Sequence, residues 1–105
     1  MALGSIAYAD NRVAARDEVH YRARAFGPDA RPLSLLIVNL SAQGMMARSD
    51  HDLPIGARLT LTLPVVGVVH AEVRWSLGGR VGCELDDAID LADYYELLAV
   101  LVRGR

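Results

Sequence analysis

From Val19 onward the chain alternates apolar and polar residues with a period of two, in short runs separated by turn-forming residues. That period sends successive side chains to opposite faces of an extended strand, so each run predicts a half-buried strand. Val19, Tyr21, Ala23 and Ala25 alternate with His20, Arg22 and Arg24. Gly27-Pro28-Asp29 supplies a turn, and Leu33 to Leu40 is then nearly all apolar, as expected for a strand buried on both faces. Asn39 to Gly44 breaks the run, and Met45 to Arg48 resumes it. Read locally, the break is a tight turn in which Asn39 and Ser41 bond nearby backbone and Gly44 takes a positive φ.

The second half repeats the pattern. Pro54-Ile55-Gly56 makes a turn, and Leu59, Leu61 and Leu63 alternate with Arg58, Thr60 and Thr62. Val69, Ala71, Val73 and Trp75 alternate with Val68, His70, Glu72 and Arg74, which assigns Trp75 to the core. Gly78-Gly79 is a hairpin signal. Arg80 follows it as a hairpin residue, and Val81, Cys83 and Leu85 point inward. After Asp86-Asp87 the period changes. Asp90 and Asp93 suit a helix start, and Leu91, Tyr94, Tyr95, Leu98 and Leu101 follow at helical spacing. The expected fold is all-β: a six-stranded antiparallel barrel with a C-terminal α-helix. Residues 1–17 show no sustained period and are expected to form a flexible N-terminal arm, with the barrel and helix occupying 18–105.

The totals narrow the function. At 105 residues and 52% hydrophobic, the chain suits one domain with one core. A net charge of −2 argues against a nucleic-acid polymer as partner, since such binding needs a basic surface. All eleven basic residues are Arg, which composition alone does not connect to function. Cys83 is the single cysteine, so no internal disulfide and no cysteine-based zinc site is expected. Met1 to Asn11 carry no signal-peptide pattern, and no apolar run approaches the ~20 residues of a spanning helix. A cytoplasmic protein without membrane insertion is the expectation, as a monomer or weak homodimer.

Catalytic patterns are missing from the sequence. Asp50-His51-Asp52 reads as a solvated turn, Cys83 as an inert core thiol, and the Asp86-Asp87-Asp90-Asp93 cluster as helix capping. Ser41 lies in no nucleophile elbow. No enzyme, no metal and no cofactor are therefore expected.

Two short motifs remain. Arg12-Val13-Ala14-Ala15-Arg16 stands just before the first strand, and Asn39-Leu40-Ser41-Ala42-Gln43-Gly44 interrupts the second. In order and spacing they resemble RxxxR and [D/N]xSxxG, the two signatures of the PilZ domain family, bacterial receptors for cyclic di-GMP. Leu53-Pro54-Ile55-Gly56 and the pair Ala71–Trp75 and Val81–Leu85 resemble the family's later turn and last hairpin. The resemblance implies a cyclic di-GMP site of Arg12, Arg16, Asn39, Ser41 and Gly44. Arginine forks suit guanine O6 and N7 or phosphate oxygens, and Asn39 suits the guanine N–H groups. It further implies an arm that orders over the ligand and a surface that an effector protein reads. Asn39 replaces the commoner Asp, and Asn11 stands where many members have another Arg, which points to one ligand per domain. The alternative is an adaptor on the same fold that binds protein but no nucleotide.

Overall fold

The computed structural model describes residues 16–103. Among the described residues six strands and one α-helix follow in order, β1 Asp17–Phe26, β2 Pro32–Leu40, β3 Gly44–Ser49, β4 Arg58–Leu63, β5 Gly67–Leu77, β6 Arg80–Leu85 and α1 Leu91–Arg103, with a 3-10 turn at Pro28–Ala30 between β1 and β2. The strands form a closed antiparallel barrel in the order β1-β2-β3-β6-β5-β4. This is the expected architecture. Residues 1–15, the greater part of the expected arm, lie outside the described residues. Among the described residues no helix is long and apolar enough to cross a membrane.

Alternation produces the core. Leu35, Ile37, Leu40, Met45, Leu59, Leu61, Val73 and Val81 point inward and are almost wholly buried. Each such side chain contributes about 2 kcal/mol by leaving water. β2 departs from expectation, because Ser34 is exposed and Leu36, Val38 and Asn39 are only partly buried. An antiparallel barrel covers one face of each strand and leaves the other to solvent. Leu36 is flanked instead by Arg22 of β1 and Arg48 of β3, its cross-strand neighbours. Gly78 and Gly79 both have positive φ, 60° and 80°, and close the tight β5–β6 hairpin as their spacing predicts.

Two further expectations are corrected. The helix buries Tyr94, Leu97 and Leu101, with Leu98 partly covered, whereas Leu91 and Tyr95 are exposed. The true stripe starts at Tyr94 and runs at spacings of three and four, one helix face wide. Asp86 does not cap the helix. Its carboxylate holds the guanidinium of Arg58, and that hydrogen bond depresses its pKa.

Three β-bulges interrupt the ladder, between Glu18 and Tyr21, between Ile37 and Asn39, and between Val73 and Trp75. The third corrects the place of Trp75. Val73 faces Cys83 and Trp75 faces Gly82, so Arg74 is an extra residue that shifts the alternation by one. Trp75 therefore leaves the core and is 41% exposed.

Gly44 is corrected too. Its φ is not positive; the glycines that adopt such angles are Gly56, Gly67, Gly78 and Gly79. A Cβ at Gly44 would lie 2.5 Å from the Cys83 carbonyl oxygen of the paired strand. Glycine is needed for close backbone approach, not for left-handed geometry. Gly44→Ala should push β3 from β6 and destabilise the fold by about 2 kcal/mol. Thermal unfolding checks this, and an unchanged melting temperature would contradict it.

Candidate functional site

The three bulges lie beside one cross-strand row on the outer face of the barrel. Glu18 of β1 pairs with Asn39 of β2, Asn39 with Met46 of β3, Met46 with Gly82 of β6, and Gly82 with Trp75 of β5. At about 4.8 Å per strand, the backbones of Asn39 and Trp75 stand roughly 14 Å apart along this row. Next to it lies a groove of about 330 Å³, lined by Arg16, Ser41, Gln43, Gly44, Arg74, Trp75, Gly82, Cys83 and Glu84.

One wall is the β2–β3 turn. Asn39 and Leu40 belong to β2, so the turn is shorter than the sequence break suggests, spanning Ser41 to Gln43. Ser41 is 5% exposed. Its Oγ accepts from the N–H groups of Gln43 and Gly44, each at 3.2 Å. Its backbone N–H donates to the Gly44 carbonyl at 2.9 Å. The hydroxyl is thus spent on shaping the turn. From outside, Leu85 N–H donates to the Gln43 carbonyl at 2.9 Å, and Ile89 N–H to the Ala42 carbonyl at 2.7 Å. The turn is thus held from three sides, by its own serine, by β6 and by the chain beyond it.

The second wall is Arg16, immediately before β1. Its Nη1 donates to Asn39 Oδ1 at 2.7 Å, joining the last residue of RxxxR to the first of the turn motif. Arg12 lies outside the described residues. Of the five residues expected to form a site, the structure brings Arg16, Asn39, Ser41 and Gly44 together. Arg16, Ser41 and Gly44 line the groove, whereas Asn39 joins it only through its bond to Arg16.

The third wall is one that the alternation missed. The indole of Trp75 sits directly on Gly82, where any Cβ would collide with the ring. Arg74 Nη1 donates to Glu84 Oε1 at 2.7 Å, which cancels the charge of the one carboxylate lining the groove. The glycine at 82, opposite an aromatic, is the signal that could have placed Trp75 outside. Arg80 does not line the groove, in keeping with its hairpin position.

The outer face also carries a run of arginines. The neighbouring cross-strand row carries Arg22, Leu36, Arg48 and Arg80. All three of these arginines are exposed and none forms an ion pair with a described residue. Arg22 and Arg48 share a second pocket with Asp50, which offsets part of their charge. Cys83, by contrast, is buried, and burial pushes its thiol from 9.0 up to about 11.

The PilZ domain family model matches residues 10–103 of the chain. A search of the curated proteins finds none that matches.

Two outcomes follow from the geometry. Gly82→Ala should lift the indole from β6, shift the Trp75 emission and distort the groove; an unchanged spectrum would contradict the contact. Cys83 should resist alkylation at pH 8 in the folded chain and react once denaturant is added. Because its folded pKa is raised, the unfolded chain loses this proton first as pH rises from 9.0 to about 11, so stability should fall across that window.

Proposed function

The chain belongs to the PilZ domain family, and from that premise we propose that it is a cyclic di-GMP receptor whose ligand lies in the groove between Arg16, the Ser41–Gly44 turn and Trp75. The observation that carries the reading is the contact between Arg16 and Asn39 at 2.7 Å, beside a turn held from three sides and an aromatic face. Two signatures 23 positions apart meet in one place, with a π surface across the groove.

The chemistry fits a ligand with two guanines and two phosphodiester charges. The Arg16 guanidinium is a bidentate donor for guanine O6 and N7 or for phosphate oxygens. Asn39 offers its carbonyl oxygen to guanine N–H groups once Arg16 turns from it to the ligand. The exposed indole supplies a stacking face for one base. Ser41 acts through the turn rather than by direct contact, because its hydroxyl is occupied. Arg12 adds the second guanidinium of the signature. The segment that carries it orders over the ligand, and the covered groove becomes the surface that an effector protein reads. That ordering has an entropic cost, so affinity is moderate.

Titration calorimetry of the full chain with cyclic di-GMP tests the reading. Saturable binding at one ligand per domain is expected. Arg16→Ala and Asn39→Ala should each weaken it at least tenfold, and Trp75→Ala by about tenfold, the cost of one lost stack. A folded wild type that gives no heat and no thermal shift would leave the fold as a protein-binding adaptor instead.

A further inference from the structure

The helix enters the same corner of the molecule through one hydroxyl. Tyr94 is 4% exposed, and its Oη lies 2.6 Å from Asp17 Oδ2 and 2.9 Å from the Leu40 carbonyl oxygen. Both are acceptors, so one O–H proton faces two oxygens, with the carboxylate nearer. The two acceptors are cross-strand partners, since Asp17 pairs with Leu40. Each also adjoins a member of the Arg16–Asn39 contact: Asp17 follows Arg16, and Leu40 follows Asn39. The Tyr94 contact therefore lies one residue along each strand from the Arg16–Asn39 contact.

The position is unlike that of the other buried helix residues. Leu97 and Leu101 offer only apolar surface to the barrel. Tyr94 alone among the buried residues of α1 joins the two strands with hydrogen bonds. Just upstream, Ile89 N–H donates to the Ala42 carbonyl. The approach to α1 and its first turn thus touch both the turn and the strand ends that carry the groove.

We infer that Tyr94 is a positioning residue of this groove, holding Asp17 and the Leu40 backbone so that Arg16 and Asn39 reach the ligand in one geometry. The inference rests on the receptor reading above and deepens it: part of the ligand affinity resides in the C-terminal helix, which touches no ligand. A hydroxyl bound to a carboxylate is stronger than a neutral pair, and its loss releases the root of the Arg16 segment.

The test uses the full chain as wild type, Tyr94→Phe and Asp17→Ala, with two readouts. Tyr94→Phe retains the ring and its packing. Without ligand, amide hydrogen exchange across residues 17–21 should quicken in both variants relative to β4 and β5. With cyclic di-GMP, calorimetry should show affinity lowered about tenfold in each. The double variant should be no weaker than Tyr94→Phe, because that change alone already removes both contacts of the hydroxyl. A merely structural tyrosine would lower the melting temperature and quicken exchange everywhere, leaving the folded domain's affinity unchanged. That result overturns the inference, as does local exchange unchanged from wild type. If Tyr94→Phe does not fold, Asp17→Ala at the half-exposed start of β1 decides by the same two measurements. If wild type binds no cyclic di-GMP, the receptor reading fails separately, and local exchange alone then upholds or overturns the tether.

Discussion

At Gly44 the backbone of β3 meets that of β6 with no room for a side chain. This approach, 2.5 Å from a virtual Cβ to the Cys83 carbonyl oxygen, governs much of what surrounds it. It closes the β3–β6 ladder on which the barrel order depends. It also fixes the turn Ser41–Gln43 directly over the end of β6, where the Gln43 carbonyl receives Leu85 N–H. The groove occupies the space in front of that turn, so a constraint of packing also shapes the groove.

Irregularity is concentrated where the groove lies. Each of the three bulges lies beside a residue of one outward row, Glu18, Asn39 or Trp75, and bulges re-aim side chains at the cost of local pairing. The regular remainder of the barrel supplies the stability that tolerates them. Charge is arranged in the same way. Arg74 and Arg58 sit against carboxylates, while Arg22, Arg48 and Arg80 stay free of described acidic partners on the row beside the groove. These arginines gather on one face of a chain whose total charge is −2.

The strands were legible because the physical cause of a half-buried strand is local: every second residue faces the core. The Gly78-Gly79 hairpin was legible for the same reason, since two adjacent positive φ values need glycine. The candidate site was legible only as a grouping of residues. Arg16, Asn39, Ser41 and Gly44 could be named from two motifs, but their division of labour could not. Ser41 and Gly44 are consumed by turn and packing, which depend on β6 nearly forty residues later in the chain. Trp75 was misassigned because one extra residue in a ladder inverts all that follows, and alternation contains no sign of it. The helix stripe was right at Tyr94, Leu98 and Leu101 but wrongly took in Leu91 and Tyr95 and missed Leu97, because all of these residues are comparably apolar.

The sequence by itself determined the alternation, the turns, the helix and the two motifs, because each depends on neighbours within a few positions. Tertiary structure decided which of those residues meet. Arg16 reaches Asn39, Trp75 settles on Gly82, and Tyr94 grips Asp17 and Leu40 only because barrel closure and bulges bring distant backbone together. The approach at Gly44 belongs to both: its glycine is written in the motif, but the carbonyl that requires it is supplied by the partner strand.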